Sequence, residues 1–182
     1  AGSAFKKIYY DEIMQRTVSK FVPADDLVVP YTATSLDDCE SIIHMVRMTE
    51  NELRKQQVGG FYRDIELNPA HLNETETEAK ERRLEGMTKG RDERMFTILE
   101  CHISLDLEGF EDMGKDGQPT GIKLPYIVSI EESTRQILSI RRNFEMNDPM
   151  KNKIDYFVHF KFLPGLGFYG FGLIHMIGGL SR

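Results

Sequence analysis

The sequence predicts an α+β fold built on an antiparallel β-meander, with short helices and the start of a C-terminal helix. Three observations lead there. Between Leu99 and Phe162 apolar and polar residues alternate with period two in four successive stretches. Turn-forming clusters at residues 112–121, 132–135 and 147–150 separate those stretches. Helical signals are confined to a capping box near residue 49, a charged insert and the apolar end of the chain. Strands joined by short turns come back alongside one another, so the sheet is expected to be antiparallel.

The chain order supplies the elements. Residues 1–4 read as an expression scar, and the chain reads as a fragment of something larger. Residues 5–67 form a strand and short-helix region expected to pack on the sheet. Within it, Phe5–Tyr10 and Leu27–Tyr31 have strand composition, with Pro23 and Pro30 suiting sheet edges. Glu40–Met48 is a further strand candidate, running into Thr49-Glu-Asn-Glu52. There the Thr49 hydroxyl can accept from the Glu52 N–H while the Glu52 carboxylate reaches back. The helix that follows, 50–57, is expected to stop at Gly59 and Gly60. Residues 68–94 are a polar insert with interleaved Glu, Lys and Arg and almost no apolar stripe, which reads as a solvated helix.

Residues 95–162 carry the meander. Leu99, Cys101, Ile103, Leu105 and Leu107 are expected inward, with His102 among the residues on the wet face. Leu124, Tyr126, Val128 and Ile130 mark the second strand, and Leu138, Ile140 and Phe144 the third. Ile154, Tyr156, Val158, Phe160 and Phe162 mark the fourth. Residues 163–182 then give a Gly-rich turn, Pro164 to Gly172, and a truncated apolar helix from Leu173. One α+β domain overall is the expectation.

Composition narrows the function. The 182 residues are 40% hydrophobic, enough for one core or a core with a small satellite. A formal net charge of -6 argues against a protein that holds nucleic acid by neutralising phosphates. Two cysteines, Cys39 and Cys101, show no C-x-x-C spacing.

Several motifs invite chemistry, each with a plainer reading. Asp112, Asp116 and Gly117 suggest part of a calcium loop, but Gly114 and Lys123 stand where ligands are needed, so a hairpin loop is expected. His102 and His159 lack a third metal ligand at a suitable spacing. No nucleophile, zinc-protease or Walker signature is present, and the expectation is a protein that is not an enzyme and binds no cofactor or metal.

Gly165, Gly167 and Gly170 match the G-x-G-x-x-G of a dinucleotide-binding turn. Phe168 and Tyr169 fill the place where a pyrophosphate would approach, and the preceding strand belongs to an antiparallel meander. Phe162–Leu180 also runs for 19 residues without Asp, Glu, Lys or Arg, near the length of a membrane span, but its six glycines and Pro164 weaken a helix there. A turn leading into a buried helix is the simpler reading.

The segment Phe157–Arg182, with Phe21–Tyr31, Met48–Lys55 and Ile137–Asn143, resembles portal proteins of short-tailed bacteriophages, or a prophage copy of one. The resemblance implies a piece of the wing or body region of a structural subunit. Such a subunit would assemble into a dodecameric ring at one capsid vertex and form the DNA packaging and ejection channel. Its implied partners are other portal subunits, the packaging motor and tail or adaptor proteins. Double-stranded DNA would pass without sequence-specific binding, and no membrane is involved. The implied location is the virion, and the host cytoplasm during assembly. Under this reading Phe168, Tyr169, Phe171, Leu173, Ile174, Ile177 and Leu180 are candidate packing or subunit-interface residues, and Pro164, Gly165, Gly167 and Gly170 shape the backbone turn. Two alternatives stay open: a membrane-active viral protein using the apolar C-terminal run, and a nucleotide-binding enzyme using Gly165, Gly167 and Gly170.

Overall fold

The computed structural model describes residues 2–11, 15–67, 95–114, 116–165 and 167–178. Among them the strands are β1 (Ser3–Asp11), β2 (Arg16–Val22), β3 (Leu27–Val28), β4 (Ser41–Thr49), β5 (Met95–Leu105), β6 (Leu124–Glu131), β7 (Ile137–Arg142) and β8 (Phe157–Lys161). The helices are α1 (Glu50–Val58) and α2 (Leu173–Ile177). The insert at 68–94 lies outside the described residues, as does Leu180.

The strands make two antiparallel sheets, so the fold is α+β with little helix. One sheet has the order β2-β1-β8, the other β3-β4-β5-β6-β7. Three of the four expected meander strands, β5 to β7, are neighbours in chain order. The fourth is not: β8 pairs with β1, from Ser3↔Lys161 to Lys7↔Phe157. The connection between β7 and β8 explains the departure. Instead of a two-residue hairpin it makes a broad turn around Asp148, whose carboxylate accepts from the N–H of Met150 at 2.9 Å and of Asn152 at 2.8 Å.

That pairing also draws residues 2–4 into the sheet. Ser3 opens β1 and is 6% exposed. Gly2 O accepts the N–H of Phe162 at 3.0 Å, so the backbone on both sides of Ser3 belongs to the sheet. β2 carries little apolar alternation and was not expected as a strand; it is held by its antiparallel register with β1, Phe5↔Val22 to Asp11↔Arg16.

The chain divides into two compact units, each assembled from segments distant in sequence. The first comprises Ala1–His44, Cys101–Ile127 and Arg141–Arg182. Its larger core joins Phe5, Val22, Leu27, Ile42, Phe157 and Phe168, and a smaller one joins Leu124, Tyr126 and Phe144. The second comprises Met45–Glu100 and Val128–Ile140, with Met48, Leu53, Phe96, Ile98 and Leu138 at its centre. In that unit α1 starts as its sequence dictates. Thr49 N–H donates to Glu52 Oε2 at 2.9 Å while Glu52 N–H donates to Thr49 Oγ1 at 3.3 Å, and Gly60 at φ 73° follows the helix end. Leu53 and Gln57 face inward, and Gln57 Nε2 donates to the carbonyls of Arg63 and Ile65 at 3.2 and 2.8 Å, tying the following extended segment to the helix.

The placement of His102 differs from expectation. His102 is buried, edge-on to Tyr156 and Phe157 at centroid separations of 5.6 and 5.2 Å, because aromatic residues cover the side of β5 expected to be wet. His159 is half-buried within the other sheet. Cys39 and Cys101 are buried thiols.

Candidate interaction surface

The segment after β8 is shaped by close backbone contact. Leu163 and Phe171 form an isolated antiparallel bridge, with Phe171 N–H donating to Leu163 O at 2.8 Å. Gly170 N–H donates to Ser3 Oγ at 2.8 Å. A Cβ on Gly170 would lie 2.7 Å from Gly2 O and 2.9 Å from Leu163 O, so this position has no room for a side chain. Gly165 sits under the ring of Phe171, where a Cβ would be 3.0 Å from the ring edge; Gly167 faces open space. The turn ends at Gly172, and α2 begins at Leu173 as the sequence predicts, running for five described residues.

Phe168 is the residue that fastens this segment. It is 7% exposed and completes a row of three rings with His159 and Phe5: His159 lies 4.3 Å from Phe5 and 4.9 Å from Phe168, centroid to centroid. His159 Nε2 shares a 2.9 Å hydrogen bond with Ser3 Oγ, the atom that also accepts from Gly170. Burial, helped by the charge of Lys161, pushes the His159 pKa below its ordinary value and so favours the neutral ring.

The other expected packing residues among those described lie outside that core, with Tyr169 edge-on to Phe168 at a centroid separation of 5.0 Å. Tyr169, Phe171, Leu173, Ile174 and Ile177 are all exposed, Ile174 to 77%. α2 buries none of its described side chains. The helix expected to pack against other parts of a larger molecule is uncovered among the described residues.

The three-stranded sheet contributes a second apolar surface, which the alternation in β8 identified with the opposite sense. Val158, Phe160 and Phe162 were expected inward with Ile154 and Tyr156; instead Phe157 is buried and Val158, Phe160 and Phe162 are exposed. The register with β1 fixes this. Phe5 points into the core, so Lys6, its sequence neighbour, and the residues paired with Lys6, Phe21 and Val158, share the outer face. Lys6 Nζ stands 5.6 Å from the ring centre of Phe160. Ile8, Tyr10 and Phe21 extend the same outward apolar set.

The remaining motifs take structural roles. In the 112–121 loop, Thr120 Oγ1 donates to Asp112 Oδ2 at 2.8 Å and Lys151 pairs with the other carboxylate oxygen. These partners hold the Asp112 pKa below the usual carboxylate range. Met113 bridges Pro119, and Gly117 and Gly121 take φ of 74°, which makes the segment a hairpin loop. No group of three or more His, Cys, Asp or Glu among the described residues is arranged to hold a metal. The N–H groups of Gly170, Phe171 and Gly172 are engaged by Ser3 Oγ, Leu163 O and His175 Nδ1, so they do not form a free phosphate cradle. Among the described residues no helix is long and apolar enough to cross a membrane.

No known protein family matches the chain, and no curated protein matches it.

Proposed function

We propose that this chain is part of a structural subunit of a phage portal ring, the channel through which DNA is packaged and ejected, and that it acts without enzymatic activity. The observation that supports this reading best is the uncovered apolar surface. The outer face carrying Phe21, Val158, Phe160 and Phe162 and the helix carrying Leu173, Ile174 and Ile177 are built on regular elements, yet these side chains are exposed among the described residues. A subunit designed to pack against copies of itself needs such surfaces, whereas a solitary protein is harmed by them. Partners in this reading are neighbouring subunits, the packaging motor and tail proteins, with DNA sliding past an acidic chain that does not grip its phosphates.

Electron microscopy of the protein encoded by the complete reading frame tests the proposal. Closed rings, lost on Phe160→Asp or Ile174→Asp while the chain stays folded by circular dichroism, are the expected result. A protein that remains monomeric at high concentration would overturn it. The membrane-active alternative predicts co-sedimentation with liposomes that disappears when residues 163–182 are removed. The C-terminal run offers that alternative only a bridge, a turn and five described helical residues.

A further inference from the structure

β2 forms one edge of the three-stranded sheet. Ile8 N–H donates to Tyr156 O at 2.7 Å and Phe162 N–H donates to Gly2 O at 3.0 Å, so the even-numbered residues of β1 bond toward β8. The odd-numbered ones, Phe5 to Asp11, therefore bond toward β2, where their partners are Val22, Lys20, Val18 and Arg16. The residues between those partners, Thr17, Ser19 and Phe21, turn their N–H and C=O groups away from β1. No strand among the described residues pairs with that side of β2. The row is open along its whole length, because the register with β1 runs from Phe5↔Val22 to Asp11↔Arg16 without a bulge, and Pro23 lies beyond its end. The edges of the five-stranded sheet are less open: β3 has two residues, and on β7 the carbonyl of Leu138 accepts from Arg63 N–H at 2.9 Å.

Charge is a second, independent observation. β1, β2 and β8 together hold five Lys and Arg residues and one Asp, in a chain whose net charge is -6. Lys20 stands opposite Lys7 in the ladder, where like charges repel. Lys20 is exposed and has no ion pair among the described residues. A strand added beside β2 keeps the alternation of the sheet. Its residues level with Thr17, Ser19 and Phe21 share the outer face, where an apolar side chain covers the exposed ring of Phe21. Its residues level with Val18 and Lys20 lie on the opposite face, where a carboxylate neutralises Lys20. A second copy of β2 would satisfy the backbone but not the charge, since antiparallel self-pairing brings Arg16 and Lys20 of both copies onto one face. A nucleic-acid strand or an anionic lipid would satisfy the charge but not the alternating donors and acceptors.

We infer that the β2 edge binds an extended segment of another protein, one that alternates apolar and acidic side chains and adds to the sheet as a fourth, antiparallel strand. Strand addition here requires neither ring assembly nor a portal function.

The test titrates the ¹⁵N-labelled isolated chain with the capped peptide Glu-Val-Glu-Phe-Glu-Val-Glu and follows the backbone amides by NMR. Saturable shifts at Thr17, Ser19 and Phe21, with slowed solvent exchange of their N–H groups, are expected. N-methylation of the peptide at its two Val and its Phe, whose N–H groups face β2, should abolish binding; N-methylation at its two interior Glu residues should leave saturation in place. Lys20→Glu should weaken binding about tenfold. Ser19→Pro, which removes an N–H that β1 does not use, should abolish it. Absence of saturation, equal binding of the peptide methylated at Val and Phe, or unchanged affinity in Lys20→Glu overturns the inference. So does concentration-dependent shifting of the same three amides without peptide, which would assign the edge to a second copy.

Discussion

Gly2 and Gly170 meet backbone to backbone: a Cβ added to Gly2 would fall 1.9 Å from the carbonyl oxygen of Gly170, and one added to Gly170 would fall 2.7 Å from that of Gly2. Both are needed for space. Gly170→Ala should destabilise the chain by about 1–3 kcal/mol, because backbone on both sides must shift to admit the methyl group. Gly167→Ala, with no heavy atom within 4 Å of the new Cβ, should change stability by less than about 0.5 kcal/mol. Urea unfolding of the two variants separates a packing demand at one position from a general need for glycine in the turn.

Phe168 and Ile174 stand six residues apart in one apolar run and should respond oppositely to truncation. Phe168→Ala removes a ring stacked in the core and should cost about 3–5 kcal/mol. Ile174→Ala removes an exposed side chain and should cost less than about 0.5 kcal/mol in the isolated chain. Equal losses would show that α2 packs on the chain in solution.

The β6–β7 turn is organised by a carboxylate. Glu131, 2% exposed, accepts from Thr134 N–H and from the hydroxyls of Thr134 and Ser133, each at 2.7 Å to Oε2. Burial alone would raise its pKa, but these donors outweigh it and hold the carboxyl below its ordinary value. The folded state thus favours the ionised form. That stability is full above the ordinary glutamate pKa, about 4.3, and is lost as pH falls through the lower folded value. Glu131→Gln should cost about 2 kcal/mol at neutral pH and flatten the acid limb of the stability–pH curve.

His159 gives a separate pH dependence. Its folded pKa is depressed, so between the ordinary value of about 6.5 and the lower folded one the unfolded chain binds the proton and the folded chain does not. Stability is therefore complete above that window and declines as pH falls through it. His159→Phe should abolish this decline while retaining ring contact with Phe5 and Phe168, at the expense of the Ser3 hydrogen bond. Thermal unfolding measured from pH 5 to about pH 7.5 in both proteins checks the prediction.

What could be read from the sequence was local. The Thr49–Glu52 box, the stop at Gly59, the turn after Glu131 and the Pro164–Gly172 turn before Leu173 all depend on residues a few positions apart, and the structure contains each. What escaped were decisions made at long range. Alternation in Val158, Phe160 and Phe162 correctly marks one face of a strand, but a period of two does not say which face is covered; that follows from Phe5 on a strand some 150 residues away. His102 was misplaced for the same reason, since Tyr156 and Phe157 arrive from a distant segment. Among the described candidate interface residues, Phe168 alone is buried, because it reaches the ring of His159.

The pairing of Ser3–Lys7 with Phe157–Lys161 also sets an order of events in time. β1 cannot find this neighbour until about 150 further residues have left the ribosome, and closing so large a loop is slow. The β1–β2 hairpin can form early from local contacts, but one hydrogen-bonding edge must then wait, open to other chains. Completion of the three-stranded sheet therefore waits for the synthesis of Phe157–Lys161, and a nascent chain is most exposed to mispairing before then.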